Sequence, residues 1–280
     1  MTHKFDRVAI FYRPDISGGS AWEKKIISKL KSLNKKIEIG SKRPKVVIAL
    51  GGDGTIMEAI RNFKHFSPLF IGLNLGHVGF LATIREKKNF LKGIEKIYKG
   101  EYTVSERMML HVGVVRKGKE IYETQALGDM YIQNLTGLLD LDIHIDDHLV
   151  QRVHGTGAIA STASGSTAYN LSLHGPIVMP DINCIVVNEI LDHNTPTPSM
   201  IIKKTKRVSF HIKNFRRRNE VLLAKDGLDI DVGMWTDGVL VMRLLPGDIV
   251  HVARARGKIK LAEIEKDYFF KSIQQKFTFK

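Results

Sequence analysis

Residues 46–55 read Val-Val-Ile-Ala-Leu-Gly-Gly-Asp-Gly-Thr, and this stretch decides the fold. An unbroken aliphatic run of this length is typical of a strand that is buried on both faces of a sheet. The apolar residues after it, Ile56, Ala59, Ile60 and Phe63, recur at helical spacing. The stretch therefore predicts a strand, a turn and a helix, with the glycine-rich turn at the N-terminus of the helix.

The turn has the properties of a phosphate-binding loop. Free backbone N–H groups and the positive end of the helix dipole meet at a helix N-terminus, and glycines let a phosphate approach the backbone. The turn matches neither G-x-x-x-x-G-K-[ST] nor G-x-G-x-x-G. Its distinctive side chain is Asp53, which in isolation is a common turn former. Asp53 follows a buried strand, and open α/β sheets bind their ligands at the carboxyl ends of their strands. Asp53 is therefore either a turn former or a residue that acts on a ligand.

The composition indicates a globular protein of two domains. The chain has 280 residues, of which 43% are hydrophobic. No apolar run approaches the roughly 20 residues that cross a bilayer, and no signal-peptide pattern precedes the first strand, so we expect no membrane association. Cys184 is the only cysteine. An internal disulfide is therefore excluded, and a cytoplasmic location is expected.

The net charge of +14 favours anionic partners. The basic residues form small clusters, such as Lys35-Lys36 and Arg216-Arg217-Arg218, that are dispersed along the chain. The clusters lack interleaved aromatic residues and match no nucleic-acid-binding module. We therefore expect phosphorylated small molecules as ligands and no specific nucleic acid partner.

Strands and helices alternate in the first part of the chain, which predicts an α/β domain with a parallel sheet over residues 1–100. Its first helix follows residues 17–19, and Ser20 and Glu23 have the spacing of a capping box. A C-terminal helix over Tyr268–Phe277, within residues 262–280, is predicted to return to this domain.

After residue 100 the apolar residues occur in short runs separated by turn residues, which predicts a β-rich second domain over residues 101–261. The predicted strands include residues 121–132 and 221–224. The segment Leu141-Asp142-Ile143-His144-Ile145-Asp146 alternates strictly, so its three polar side chains share one face of a strand. That face is either a divalent metal site or a solvated surface, and the pattern fits both.

Residues 155–172 contain hardly any bulky side chain and many hydroxyl groups. Small residues let a ribose, a phosphate or a base edge lie against the backbone, and the ring of Tyr169 can pack on a base. A serine- and threonine-rich turn that caps a helix explains the same composition. The stretch is therefore either a nucleotide-binding loop or a structural turn.

Four motifs together resemble the NAD kinase family. They are the turn at 51–55, Gly72-Leu73-Asn74-Leu75-Gly76 with Gly79-Phe80-Leu81, Arg107-Met108-Met109-Leu110, and Gly165-Ser166-Thr167-Ala168-Tyr169-x-Leu171-Ser172-x-x-Gly175-Pro176. Diacylglycerol and sphingosine kinases share the first motif but not the other three. The resemblance covers most of the chain.

The resemblance implies a two-domain, NAD kinase-like fold and an ATP-dependent phosphotransferase with an alcohol acceptor. It would transfer a phosphoryl group from ATP to the 2′-hydroxyl of the adenosine ribose of NAD, giving NADP. Mg²⁺ would be carried by ATP, with no separate metal site in the protein. The resemblance also implies a homodimer or a homotetramer. In such a reaction the protein mainly positions the reactants and offsets their charge.

The resemblance also implies roles for individual residues. Asp53 would be the catalytic residue that accepts the hydroxyl proton, and Gly51, Gly52, Gly54 and Thr55 would bind phosphate. The implied substrate-binding residues are Asn74, Phe80, Gly128, Asp129, His154, Thr156, Ser164, Thr167, Ala168, Tyr169 and Ser172. Asp129 would accept hydrogen bonds from both hydroxyls of a ribose and would reject a ribose that already carries a 2′-phosphate.

Three positions depart from the family pattern. Gly128 replaces an asparagine, Thr156 replaces an aspartate, and His154 stands at a basic position. Because all three belong to the implied dinucleotide side, the acceptor stays open between NAD, NADH, another nucleoside and a lipid. The donor stays open between ATP and polyphosphate. A non-catalytic sensor of NAD or NADP is a further alternative.

Overall fold

The structure is a computed structural model that describes residues 5–76, 79–193, 197–215, 231–265 and 267–277. The chain divides into two compact units. The first comprises Met1–Arg107 with Lys258–Lys280, and the second comprises Met108–Gly257. Across the described ranges, no helix is long and apolar enough to span a membrane.

Strands and helices alternate in the first unit. They are β1 (Arg7–Phe11), α1 (Gly19–Leu33), β2 (Glu38–Ile39), β3 (Val46–Leu50), α2 (Asp53–Phe63), β4 (Leu69–Leu73) and α3 (Phe90–Tyr98). The strands lie in the order β2-β1-β3-β4, and every pair of neighbours is parallel. The predicted α/β fold with a parallel sheet is therefore confirmed.

Strands β3 and β4 form the centre of the first unit, and all their residues are buried. Ile48 of β3 and Ile71 of β4 belong to one hydrophobic core, to which Leu30 of α1 and Ile94 of α3 also contribute. Both strands therefore have a fixed position, and their carboxyl ends carry the turn at 51–55 and Asn74.

The predicted capping box of helix α1 is wrong. The helix begins at Gly19, with Gly18 as the N-cap in the left-handed region at φ 80°, and no side chain caps it. Glu23 instead accepts a hydrogen bond of 2.9 Å from the hydroxyl of Tyr12. A glycine that adopts a left-handed conformation starts this helix, so the helix does not use the hydroxyl of Ser20.

The second unit is built almost entirely of strands. They are β5 (Thr103–Arg116), β6 (Lys119–Ala126), β7 (Asp129–Asn134), β8 (Leu139–Ile145), β9 (His148–Gly155), β10 (Gly157–Ser161), β11 (Cys184–Ile190), β12 (Met200–Lys203), β13 (Val208–Phe215), β14 (Val232–Thr236), β15 (Val239–Arg243) and β16 (Ile249–Glu263). One short helix, α4 (Tyr169–Ser172), follows β10. The predicted β-rich character is confirmed.

The strands of the second unit form two sheets. One contains β16-β13-β8-β9, with β5 and β6 beyond β16, and the other runs β12-β11-β10-β7-β14-β15. A single hydrophobic core takes side chains from both, for example Phe210 and Ile143 from the first sheet and Ile132 and Val187 from the second. This is the arrangement of a β-sandwich.

The structure contradicts one strand prediction in this unit. The predicted strand 121–132 is wrong because β6 ends at Ala126 and β7 begins at Asp129, and the two strands belong to different sheets. The prediction missed the break at Leu127-Gly128. The predicted strand 221–224 lies outside the described residues.

The C-terminal part of the chain adds a strand and a helix to the first unit. Residues 260 and 261 of β16 pair in parallel with β4, and helix α5 covers Tyr268–Phe277. The predicted helix Tyr268–Phe277, placed within residues 262–280, is confirmed, and residues 262 and 263 end strand β16. Arg107 pairs with Glu263 at 3.2 Å and also donates to the Tyr268 hydroxyl, so it fastens both elements.

Candidate functional site

The glycine-rich turn connects β3 to α2. The Gly51 N–H donates to the carbonyl of Leu73 at 3.0 Å, which ties the turn to the neighbouring strand β4. A Cβ atom at Gly51 would lie 2.4 Å from the Oγ1 atom of Thr55, which is itself buried. Glycine at position 51 therefore allows the helix to begin directly against the end of the strand.

Gly52 and Gly54 leave the start of α2 open. Gly52 is the N-cap, and its carbonyl accepts the N–H groups of Thr55 and Ile56 at 3.0 and 3.1 Å. A Cβ atom at Gly52 or Gly54 would meet nothing within 4 Å. The first N–H groups of a helix lack intrahelical partners, so the turn offers an anion a set of donors with open space above them.

Asp53 is held in one orientation by two backbone groups. Its Oδ2 atom accepts the N–H of Phe80 at 2.8 Å, and its Oδ1 atom accepts the N–H of Leu81 at 3.0 Å. The side chain is half-buried. A carboxylate oxygen has a second lone pair, so each oxygen can still accept a hydrogen bond from a ligand hydroxyl.

Gly79 is a functional residue that the sequence reasoning did not select. A Cβ atom there would lie 2.2 Å from Oδ1 of Asp53, so only glycine leaves room for the carboxylate. The Gly79 carbonyl accepts a 3.0 Å hydrogen bond from Ser272 of helix α5, which is fully buried. Gly79 belongs to the motif at residues 72–81, but its pairing with Asp53 depends on a contact between distant parts of the sequence.

Asn74 and Phe80 lie near the turn in the first unit. The Oδ1 atom of Asn74 accepts the N–H of Gly76 at 3.0 Å, so its side-chain NH2 group is the remaining donor. The Phe80 ring is buried and packs on Phe269 of α5 at a centroid distance of 5.7 Å. Phe80 thus orients Asp53 through its backbone while its ring belongs to the core.

Asp129 is the buried acid of the second unit. It begins strand β7 and is 5% exposed. Burial, and then the charge of Asp237, raise the pKa of its carboxyl to about 7. A carboxyl group in this state can accept hydrogen bonds from ligand hydroxyls or donate one.

Asp237 fixes the backbone in front of Asp129. With Gly238 it forms the two-residue turn between β14 and β15, and both residues have positive φ, 48° and 75°. Its carboxylate accepts the N–H groups of Leu127 and Gly128 at 2.9 and 2.7 Å. The Gly128 N–H, directly before Asp129, is therefore already bound to Asp237.

Three aromatic rings lie beside Asp129. Tyr131 lies on the same face of β7 as Asp129. Its ring stacks on Trp235 at a centroid distance of 5.2 Å and meets the ring of Tyr169 edge-on at 4.9 Å. Burial is the main cause that raises the pKa of Tyr131 to about 12, and Asp129 adds to it. Sequence reasoning selected Tyr169 but missed Tyr131 and Trp235, because the pairing of β7 with β14 joins residues far apart in the chain.

The small-residue stretch combines both roles that the sequence left open. Residues 157–161 are the buried strand β10. The Thr162 hydroxyl donates to the Leu127 carbonyl at 2.6 Å, and the Ser166 hydroxyl donates to the Ala163 carbonyl at 2.7 Å. These two hydroxyls hold the loop together. Of the predicted ligand-binding residues, Thr167 is buried, Ser164 and Tyr169 are half-buried, and Ala168 and Ser172 are exposed.

Asn170 is a second residue that the sequence reasoning passed over. Its side chain is completely buried, yet neither Oδ1 nor Nδ2 has a hydrogen-bond partner among the described residues. A Cβ atom at Gly175 would lie 2.2 Å from Nδ2, so this glycine makes room for the amide. An unpaired buried amide is costly and is usually completed by a ligand or a water molecule.

The alternating segment at 141–146 does not bring its polar residues together. Asp142 pairs with Lys213 at 3.0 Å, and Asp146 pairs with Lys206 at 2.7 Å. In the described parts of the chain, the only group of three potential metal ligands that converges is another one, formed by His111, Glu120 and Glu123. The structure thus favours the solvated face for Asp142 and Asp146, which pair with lysines.

Comparison with known proteins identifies the family. The family model of the ATP-NAD kinase N-terminal domain matches residues 15–102, and that of the C-terminal domain matches residues 129–264. The chain belongs to the NAD kinase family. Among its relatives, the NAD kinase of Symbiobacterium thermophilum is 32% identical over 83% of this chain and 78% of its own length. The NAD kinase of Thermoanaerobacter sp. is also 32% identical, over 83% and 78%.

Solved structures of the NAD kinase family share the fold. Yeast NADH kinase complexed with NADH superposes with a TM-score of 0.86 at 19% identity, over 98% of this chain and 88% of that one. The NAD kinase of Archaeoglobus fulgidus in complex with ATP gives a TM-score of 0.74 at 20% identity, over 96% and 99%. The predicted NAD kinase-like fold is confirmed.

Of the three departures from the NAD kinase family pattern, Gly128 lies apart from His154 and Thr156 in the fold. Along β10, Ser161 pairs with Asp129 whereas Gly157 pairs with Gln133. At ~3.3 Å per residue, Thr156 therefore lies more than about 13 Å along the strand from the end that carries Gly128. The Thr156 hydroxyl donates to the Ile190 carbonyl at 3.0 Å, and exposed His154 pairs with Asp140.

Proposed function

We propose that the chain transfers the terminal phosphoryl group of ATP to the 2′-hydroxyl of the adenosine ribose of NAD, giving NADP. The observation that carries this proposal is the position of the Asp53 carboxylate. Asp53 lies in the first turn of α2, and the N–H groups of Phe80 and Leu81 hold its carboxylate in place. Membership of the NAD kinase family supports the choice of ATP as donor and NAD as acceptor.

The turn and Asp53 have separate tasks in this reaction. The free backbone N–H groups at residues 52–54 bind phosphate oxygens, aided by the helix dipole. Asp53 orients the acceptor hydroxyl and takes its proton as the phosphorus–oxygen bond forms. Because phosphoryl transfer needs little covalent chemistry from the protein, correct position and charge are the main requirements.

Mg²⁺ fits this site as an ion that arrives with ATP. The phosphates of ATP and water molecules would hold it, as is common for Mg²⁺ in sites that bind nucleoside phosphates, and Asp53 keeps its role at the acceptor hydroxyl. Over the described part of the first unit, no three potential ligands converge into a metal site of their own. When bound, the ion neutralises charge on the phosphates.

The second unit recognises the nucleoside. Asp129 accepts hydrogen bonds from ribose hydroxyls, and the ring of Tyr169 packs on the adenine while the backbone of residues 164–168 lies along the nucleotide. The raised pKa of Asp129 supports this role, because burial has removed water from a carboxyl group that can bind hydroxyls. Ser172, His154 and Thr156 complete the proposed set of substrate contacts in this unit, and Asn74 is a proposed substrate contact of the first unit.

We further propose a cytoplasmic homodimer or homotetramer without a nucleic acid partner. The basic excess serves the surface and the anionic ligands. Binding to DNA or RNA should be weak. Its affinity should fall steeply between about 50 and 200 mM salt, as expected for nonspecific contacts to phosphates. Fluorescence anisotropy with labelled duplexes checks this. Tight, sequence-selective binding at 150 mM salt contradicts it.

A panel of acceptors tests the proposed function. The purified protein is incubated with Mg-ATP and, separately, NAD, NADH, adenosine and sphingosine, and the products are identified by mass spectrometry and ³¹P NMR. NAD should give a 2′-phosphomonoester with stoichiometric ADP. Phosphorylation of another acceptor in preference to NAD overturns the assignment, and binding of NAD without any product indicates a sensor. Replacing ATP with polyphosphate identifies the donor.

A further inference from the structure

A basic pocket lies on the outer face of the first sheet of the second unit. It has a volume of about 850 Å³, within the range of small-molecule sites. The register of β8, β13 and β16 places His144, Ser209 and His251 in one row across three strands. His211, beside this row, stacks on His144 at a centroid distance of 4.1 Å.

Two ring nitrogens in this pocket have no partner. The Nδ1 atoms of His144 and His251 are buried and make no hydrogen bond within the described structure. Buried polar atoms are rarely left unpaired, because the loss of solvation is costly. The pocket therefore contains two groups that a bound molecule with hydrogen-bonding atoms would satisfy.

The charge of the pocket is positive. Lys204, Arg207 and Arg254 line it, and none of them forms an ion pair with a described residue. Lys206 is paired with Asp146 at 2.7 Å. The three unpaired cations outnumber the one remaining acid of the lining, Asp147. Two arginines and a lysine, together with the hydroxyl of Thr205, form a donor set that suits phosphate oxygens, while the Ser209 hydroxyl already shares a hydrogen bond of 3.1 Å with Nε2 of His211.

The histidines themselves add hydrogen bonds rather than charge. Burial is the first cause that lowers the pKa of both His211 and His251, followed by His144 for the former and Arg207 for the latter. The lowered pKa values increase the fraction of His211 and His251 that is uncharged at neutral pH. A transition-metal site is not formed, since these histidines are absent from the one convergent ligand group in the described residues.

We propose that this basic pocket binds a phosphorylated small molecule at a site separate from the one for NAD and ATP. The lining includes none of the residues assigned to phosphoryl transfer or to the nucleoside. The three cations bind the phosphate, and the row of His144, Ser209 and His251 binds the polar groups next to it. The inference does not depend on the proposed function.

Histidine NMR tests the proposal at the site itself. The protein is labelled with ¹³C in its histidine rings, and the signals of His144, His211 and His251 are assigned with His→Gln variants. Inorganic pyrophosphate and ribose 5-phosphate are titrated at pH 7.5 and constant ionic strength. We expect saturable shifts of these three signals, and the more tightly bound probe shows whether the pocket prefers a bare or an esterified phosphate.

Two charge variants provide the comparison. The double variant R207Q/R254Q removes two exposed cations of the pocket, and K35Q/K36Q removes two exposed cations of the first unit. We expect at least tenfold weaker binding in the first variant and unchanged binding in the second, with NAD phosphorylation in the absence of probe equal in both. Unshifted signals in the wild type, or equal loss in both variants, overturns the proposal.

Discussion

The turn of the first unit and the Asp129 region of the second unit differ in how their polar groups are satisfied. Both oxygens of Asp53 accept backbone N–H groups, at 2.8 and 3.0 Å. In contrast, burial raises the pKa of Asp129 to about 7, and the buried amide of Asn170 has no partner in the described chain. Under the proposed function, the polar groups of the catalytic turn are paired before the substrate arrives, whereas those of the nucleoside site are paired by the substrate.

This difference has a physical reason. A reacting group contributes most when its position is fixed in advance, because no reorganisation is then needed in the transition state. A recognition site gains specificity from polar groups that only the correct ligand can satisfy. Because these groups are unpaired in the free protein, they lower its stability. Changes in the first unit should therefore affect turnover, and changes in the second should affect affinity and stability.

Gly79→Ala should give the largest effect among the changes that leave Asp53 in place. The added Cβ would lie 2.2 Å from Oδ1 of Asp53, so the carboxylate must move. Displacement by about 1 Å costs roughly 10²-fold in turnover. Steady-state kinetics should show this loss in kcat, with the KM for NAD little changed.

Gly257→Ala is the matched control for this change. Its Cβ would lie 3.4 Å from Met109, an ordinary contact, and the site is exposed. Its kcat should equal that of the wild type. If Gly79→Ala keeps full turnover, the Asp53 orientation is not important for the reaction, and the contrast between the two regions fails.

Asp129→Asn should act mainly on affinity. The amide can no longer accept from two hydroxyls at once, and a hydrogen bond to a charged group contributes about 1.5–3 kcal/mol. We expect the KM for NAD to rise roughly tenfold or more, while kcat changes much less. A fall in kcat with constant KM would place Asp129 on the catalytic side instead.

The same variant should be more stable than the wild type at high pH. The pKa of Asp129 is raised from 3.8 to about 7 by folding, so the folded state binds more protons than the unfolded state between these values. The wild type therefore loses stability as pH rises from about 4 to 7. Thermal unfolding should show a gain of about 3 °C or more for Asp129→Asn at pH 8, and none near pH 4. A constant difference across this range contradicts the assignment.

Gly128→Asn combined with Thr156→Asp should give the smallest effect. Restoring the side chains of the family pattern should lower the KM for NAD several-fold and leave kcat nearly unchanged, as expected for uniform binding. Because the two positions lie at opposite ends of β10, their effects should add. Loss of activity in the double variant means that these residues serve another acceptor.

The sequence predicted the turn of the first unit better than the Asp129 region of the second unit. A buried strand, a glycine turn and a helix are local patterns, and β3, α2 and Asp53 lie where the pattern predicts them. The capping box failed because Ser20 and Glu23 fit a pattern that the left-handed conformation of Gly18 replaces. Local spacing alone cannot distinguish the two ways of starting a helix.

In the second unit the missing information was the pairing of distant strands. Tyr131 and Trp235 stack because β7 pairs with β14, and no local feature of the sequence gives that register. The same reason explains why Gly128 and Thr156 appeared to form one group. The role of Gly79 beside Asp53 was hidden likewise, because it depends on a contact across the fold.

Asp53→Asn tests the central claim most directly, with NAD binding and turnover measured on the same protein sample. The amide keeps the size of the side chain, but it cannot take a proton from the acceptor hydroxyl, and it can accept only one of the N–H groups of Phe80 and Leu81. We expect the rate of NADP formation at saturating Mg-ATP to fall about 10²–10⁴-fold. Calorimetry should give a dissociation constant for NAD within about threefold of the wild-type value. Turnover that stays within threefold of wild type would show that Asp53 is only a turn residue.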